Sequence, residues 1–403
     1  MSIVMNNKIR ITGIILLTAG LIISCKPEKN DLETAKFLID SIQSQTIADS
    51  RIEVFSIKPA FYEDGIILRG KTTNQEAVAK LTAVLKQERI VYTDSIVRLP
   101  DPALGEKLWG LVTISVANIK YTAAHSAEMA TQALMGTPVK ILQEDNGWLL
   151  IQTPDRYIAW TESAGIARLT QSQIDQWKTS VRFIYLGDNG LILNAPEKNA
   201  IPVSDIVLGG ILSINGKEAA RGNYLPVALP DGRTGYIAGE DCQEFKTWSD
   251  QVSMDSIALV KSAFHLMGRP YLWGGTSIKG MDCSGFTRTI YLNGGLILSR
   301  DASQQVLQGM EVPTSDIWKG LKMGDLLFFG RRATTEVTEK VSHVGMYIGG
   351  SEFIHCSGMV KVNSLDSART NFKPYYHTNL LHVKRIIGTS TLPDSFKALG
   401  WYN

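Results

Sequence analysis

The sequence predicts an α+β multidomain protein, on three observations. A glycine-rich loop near residue 275 leads into a cysteine-headed helix and then into alternating strands. Two upstream stretches repeat one pattern of short strands and turns. A smaller strand-turn-strand-helix unit precedes both. The 403 residues suffice for two to four domains, and 44% hydrophobic with 20% charged residues is ordinary for a soluble globular chain.

In chain order, Lys8 and Arg10 precede the apolar run Ile11 to Ile23, which ends in Leu-Ile-Ile-Ser-Cys25. The run is too short for a comfortable membrane span and reads as a targeting segment. A polar leader follows. Residues 52–57 and 66–70 then read as strands about the turn Glu63-Asp64-Gly65, and Asn74 to Lys86 as an amphipathic helix with Ala77, Val78, Leu81, Val84 and Leu85 on one side. Gly136-Thr-Pro-Val-Lys-Ile-Leu142, Gly147-Trp-Leu-Leu-Ile-Gln152 and Tyr157-Ile-Ala-Trp160 find counterparts in Gly209-Gly-Ile-Leu-Ser-Ile214, Asn223-Tyr-Leu-Pro-Val227 and Tyr236-Ile-Ala238. Such short strands between turn residues predict two small β-barrels, with Trp148, Trp160 and Tyr236 serving their cores.

The stretch that carries chemistry is Tyr271-Leu-Trp-Gly-Gly followed by Gly280-Met-Asp-Cys-Ser-Gly-Phe286. Cys283 opens a helix running to Leu292, with Asp282 at the capping position, so the thiol meets the positive end of the helix dipole, which favours thiolate. Val341 to Ile348 and Glu352 to Cys356 alternate as two strands joined at Gly349-Gly350, which brings His343 and His355 side by side. The set supplies a nucleophile, a base and an orienting group. A zinc site built from Cys283, His343, His355 and Cys356 is disfavoured, because adjacent strand residues point to opposite faces.

These residues, with Leu298-Ser-Arg-Asp-Ala-Ser-Gln-Gln305 and Gly324-Asp-Leu-Leu-Phe-Phe329, stand in the order of the NlpC/p60 family of bacterial cell-wall cysteine peptidases, which residues 255–388 resemble. The resemblance implies a papain-like domain with Cys283 as nucleophile, His343 as general base, His355 as third member and Tyr271 beside the oxyanion. The two barrels resemble bacterial SH3-like domains. Barrels and peptidase together resemble the branch of γ-D-glutamyl-L-diamino acid endopeptidases that act on free murein peptides, in which the first barrel covers the groove. On that basis Glu128, Asp282 and Ser284, with Trp273 and Tyr157, are expected to bind substrate, the carboxylates meeting its free amino group. The implied domains are a lipoprotein signal at 1–24 with lipid on Cys25, a leader and small α+β domain at 25–115, barrels at 116–168 and 178–247, and the peptidase at 250–390. A lipid-anchored, monomeric enzyme of the bacterial envelope, periplasmic or at the cell surface, is expected. It needs no metal or organic cofactor.

Removing residues 1–24 leaves basic and acidic residues equal in number, so nothing points to nucleic acid. Cys242, Cys283 and Cys356 then remain, an odd number that argues against a disulfide framework. His125, His265, His377 and His382 stay outside the expected site, and Arg300 and Asp301 are read as fixing a turn or helix start. Two rival enzymes remain: a wall-lytic endopeptidase acting on intact peptidoglycan, and a papain-like amidase or acyltransferase.

Overall fold

The computed structural model describes residues 29–63, 65–216, 218–252, 255–313, 320–389 and 393–403. The expected signal segment and Cys25 lie outside the described residues. Among the described residues no helix is long and apolar enough to cross a membrane.

Two compact units form. The smaller holds the helix Lys29–Thr46, residues Ser56–Gly70 and residues Gln75–Ile96. The expected polar leader is therefore a helix. Its Ala35, Ile39 and Ile42 recur at helical spacing and are buried, and it packs on the helix Gln75–Gln87, which buries Ala77, Val78, Leu81 and Leu85. The strands Phe55–Tyr62, Gly65–Thr72 and Tyr92–Arg98 make a three-stranded sheet with the second in the centre. The first strand begins three residues later than expected, because residues 49–53 turn through hydrogen bonds from the Ile52 and Glu53 N–H groups to the Asp49 carbonyl.

In the larger unit each barrel is a seven-stranded antiparallel sheet. The first takes the order Ile166–Leu169, Trp109–Val112, Pro138–Asp145, Trp148–Gln152, Ile158–Glu162, Val116–Lys120, Met129–Leu134. The second runs from Arg182–Tyr185 to Cys242–Glu244 and repeats that order strand for strand, so the repeat seen in sequence is a structural repeat. The first barrel opens with Trp109–Val112, ahead of the expected boundary at 116. Trp148 and Tyr236 are buried, while Trp160 is half-buried beneath the Lys71 ammonium, 5.0 Å from its ring centre.

The remaining domain carries a six-stranded sheet ordered Met310–Glu311, Leu380–Arg385, Leu326–Arg331, Lys340–Gly349, Glu352–Ser357, Met359–Ser364. The helix Cys283–Asn293 packs on its two strands Lys340–Gly349 and Glu352–Ser357. This domain reaches past the expected end at 390. Asp394–Ser395 pairs with Leu296–Ile297, and Phe396 and Tyr402 enter a core with Trp177, Phe245 and Trp248, the Phe396 ring edge-on to both Phe245 and Trp248. Phe396 is 2% exposed, so Phe396→Ala should destabilise the larger unit by about 3–5 kcal/mol, read as a lower midpoint in urea unfolding.

Candidate active site

Asp282 caps the helix Cys283–Asn293 by accepting the Gly285 N–H at 2.7 Å. Its carboxylate also accepts the Gly274 N–H at 3.1 Å and lies 2.5 and 3.2 Å from the two terminal nitrogens of Arg300. Arg300 Nη1 reaches the Ser284 hydroxyl at 3.0 Å. Arg300 and Asp282 are 2% and 5% exposed, so this is a buried, bidentate ion pair. Both oxygens of Asp282 are already taken within the protein. The carboxylate expected to meet a substrate ammonium thus holds the loop and the helix start, and Arg300, expected at a turn, is its counter-ion.

Cys283 is buried at the first position of that helix. The backbone N–H groups of Ser284 and Val344 point at its sulfur, and Val344 is the neighbour of His343. These donors favour thiolate, as does the positive charge of Arg300. Burial and the Asp282 charge outweigh them and push the thiol up to about 12. Desolvation and the Asp282 charge thus work against the thiolate that the helix start favours.

His343 and His355 lie on adjacent antiparallel strands. Met346 pairs with Ile354, and extending that register puts Gly345 opposite His355. A Cβ on Gly345 would fall 3.0 Å from the His355 Cβ and 2.8 Å from the Phe353 ring, so only glycine lets the imidazole lean across toward His343. His343 Nε2 sits 2.7 Å from His355 Nδ1, and His355 Nε2 sits 2.9 Å from Asn363 Oδ1. Phe329, Phe353 and Tyr376 box the two rings, with the Tyr376 ring centre 5.5 and 4.8 Å from theirs. Burial, the neighbouring His355 and the Lys361 ammonium lower His343 to about 3. Burial lowers His355 to about 4, against the opposing Asn363 bond. Both rings are neutral at rest. Tyr271 is half-buried beside Cys283, and burial raises its phenol.

The cleft at Cys283 has the first barrel as one wall. Tyr121, Met129 and Ala130 face Trp273, Gly274, Asp282, Ser284, Asp301, Ser303 and the strand start Lys340 to Ser342. Gln132 clamps the barrel in place. Its side-chain oxygen accepts from the Thr276 N–H and the Ser277 hydroxyl, both at 3.0 Å, and its carbonyl accepts from the Thr276 hydroxyl at 3.1 Å. Gly274, at φ 79°, fits because a Cβ there would fall 2.4 Å from the Met129 carbonyl oxygen. Trp273 is exposed and donates to Glu128 at 2.6 Å, so Glu128 is tied to the rim. Tyr157 is a buried part of the barrel core rather than a pocket wall; only its hydroxyl reaches out, to Asp301 at 3.3 Å and to the Tyr121 hydroxyl at 3.2 Å. Asp301 does cap the helix Ala302–Gln305 as read from sequence, but it also lines the cleft, where Arg51 holds it at 2.8 Å. Sequence reasoning missed Arg51, Asn363 and Tyr376. Among the described residues no group of three or more His, Cys, Asp or Glu is arranged to hold a metal ion.

Comparison with known proteins finds relatives of two parts of the chain. Residues 268–385 match the model of the NlpC/P60 family, and residues 121–166 match that of the bacterial dipeptidyl-peptidase SH3 domain. The chain carries an NlpC/P60 peptidase domain. Dipeptidyl-peptidase 6 of Lysinibacillus sphaericus is 26% identical over 287 residues, 69% of this chain and 98% of that protein. A γ-D-glutamyl-L-lysine dipeptidyl-peptidase of Bacillus cereus is 29% identical over 259 residues, 62% of this chain and 73% of that one. A crystal structure of an NlpC/P60 family protein from Bacillus cereus superposes with a TM-score of 0.58 at 20% identity, covering 69% of this chain and 99% of the other, a likeness of fold.

Neutral burial of both imidazoles in the NlpC/P60 domain gives the folded state a pH dependence of known sign. An unfolded histidine takes up a proton below about pH 6.5, whereas folded His355 stays neutral until about pH 4. The unfolded state therefore binds more protons in that window. Its contribution to stability is complete above pH 6.5 and is lost as the pH falls toward 4. Thermal midpoints measured from pH 7 to pH 4 should fall less steeply in His355→Gln than in the parent, whatever the difference at pH 7.

Proposed function

We propose that the protein is a cysteine peptidase that cleaves the γ-D-glutamyl-L-diamino acid bond of murein stem peptides bearing a free N-terminal L-alanine, releasing L-Ala-γ-D-Glu. The observation that carries this reading is the first barrel clamped as a wall of the cleft beside Cys283. A wall at that place favours a short acyl portion over a continuing strand. Asp301 in the cleft and Glu128 on its rim supply the negative charge that a free ammonium requires. The γ-D-glutamyl-L-lysine dipeptidyl-peptidase relative of Bacillus cereus supports the same class of bond.

In this mechanism His343 Nδ1 takes the proton of Cys283 as the sulfur attacks the γ-carbonyl carbon of D-glutamate. A C–S bond forms and the carbonyl π pair moves onto oxygen, where the Cys283 N–H and Tyr271 stabilise it. Collapse expels the amine of the diamino acid, which leaves with the proton held on His343. Water, deprotonated by the same ring, then cleaves the thioester. Proton transfer from thiol to imidazole accompanies the attack, so the negative charge that develops passes to the carbonyl oxygen.

Cys283→Ala should abolish turnover, and His343→Ala should come close to doing so, since the residues act as a unit. The substrate reading is tested by comparing free L-Ala-γ-D-Glu-diaminopimelate, its N-acetyl form and intact sacculi, with the released dipeptide followed by mass spectrometry. Acetylation should cost on the order of a hundredfold in kcat/KM, because it removes a charge-assisted bond and meets the barrel wall. Equal rates on all three would replace this reading with a wall-lytic endopeptidase.

The segment ending at Cys25 further supports a lipid-anchored envelope protein. Full-length protein made in a bacterial host should partition into detergent, and Cys25→Ala should not, since each buried methylene of an acyl chain contributes about 0.8 kcal/mol. Equal partitioning of the two forms would remove the anchor.

A further inference from the structure

Asn363 lies on the strand Met359–Ser364, 5% exposed, and no motif marks it. Its Nδ2 donates to the Asn371 carbonyl at 2.8 Å. A backbone carbonyl can only accept, so the atom of Asn363 that faces it must be the amide nitrogen, and the atom that faces His355 Nε2 at 2.9 Å must be the amide oxygen. That oxygen also only accepts. His355 must therefore carry its proton on Nε2, and its Nδ1 is bare in the neutral ring. The bare Nδ1, 2.7 Å from His343 Nε2, requires the proton there in turn, which leaves His343 Nδ1 unprotonated. The direction of the whole chain of bonds follows from one peptide carbonyl. Asn371 is itself held, its Nδ2 donating to Glu352 at 2.8 Å.

We infer that Asn363 is a positioning residue that sets the tautomers of both histidines and so keeps His343 ready to accept the thiol proton. This rests on the peptidase reading for its consequence in catalysis but not for the tautomers themselves. The groups facing His355 are His343, the Lys361 ammonium from the paired strand and the ring of Tyr376, with Glu352 at the far end through Asn371. The hydrogen bond to Asn363 favours protonation of His355 and Lys361 opposes it, but Asn363 carries no charge of its own. A carboxylate at 363 would promote it, and a doubly protonated His355 would donate from Nδ1 and force His343 into the opposite tautomer.

The test has two arms. In the full-length parent, labelled with ¹⁵N-histidine, the imidazole shifts of His343 and His355, assigned by single substitution among the six histidines, should both report Nε2–H near neutral pH. An Nδ1–H form on either ring overturns the inference, whether or not the peptide is a substrate. In kinetics on the free tripeptide, Asn363→Leu should lower kcat by about a hundredfold or more with KM little changed, as expected for a wrongly protonated base. Asn363→Asp keeps an acceptor toward His355, so it should recover most of kcat at alkaline pH while the acid limb of kcat/KM moves to higher pH. A merely structural role would treat Leu and Asp alike and leave the acid limb in place, and that result would also overturn the inference. An inactive parent would count against the substrate reading alone, and the labelling arm would still decide the tautomers.

Discussion

The site depends on one buried ion pair. Arg300 and Asp282 face each other with almost no solvent contact, and the Asp282 carboxylate gathers the Gly274 and Gly285 N–H groups as well. Three separate pieces of chain meet at those two oxygens: the Trp-Gly-Gly loop, the start of the helix that carries Cys283, and the segment leading into Asp301. Taking both charges out of water costs several kcal/mol per ion, and bidentate geometry with the Gly274, Gly285 and Ser284 hydrogen bonds offsets part of that cost, although the buried Arg300 Nε finds no partner. Such a pair contributes little net stability. Its yield is placement, because removing either partner would strand the other, and the position of the sulfur follows from the position of the carboxylate.

Around that anchor the electrostatics run opposite to the simplest reading of the helix start. A cysteine at a helix N-terminus is expected to ionise readily, yet here desolvation and the adjacent Asp282 dominate. The imidazoles are likewise kept uncharged by the aromatic box of Phe329, Phe353 and Tyr376 and by Lys361. The site opposes a standing thiolate. It stores alignment: a directed line of hydrogen bonds from His343 to Asn371, with every donor and acceptor fixed in advance.

How much of this was legible in the sequence depends on the range of the interaction. Cys283, its helix and the Asp282 cap were readable because capping is a contact across three residues. The two histidine strands were readable because strict alternation and a glycine turn specify a hairpin. The strand Trp109–Val112 was missed because it gains its partners only on closing the barrel. The helix Lys29–Thr46 was passed over because its three buried positions sit among charges. The aromatic run from Phe396 to Tyr402 carries no periodicity and is ordered by a core that other segments build. Arg300 stood inside a recognised motif yet was assigned to a turn, since nothing along the chain says that its partner lies 18 residues back. Asn363 and Tyr376 gave no local signal at all. Barrel-side residues fared in the same way: Tyr157 and Glu128 were placed near the cleft, but what each touches came only from the fold.

The Gln132 clamp joins segments 144 residues apart in the chain. Closing so long a loop is an entropic expense that grows only slowly with length, and three hydrogen bonds with a glycine-enabled backbone contact are the local return on it. The cleft is consequently built between distant segments of one polypeptide, and its shape depends on contacts that neither segment makes alone. Loss of the Gln132 contacts would loosen the wall that the barrel gives the cleft. Barrel and peptidase domain are packed in one compact unit, so the shape of the cleft is held by the same packing that holds the fold.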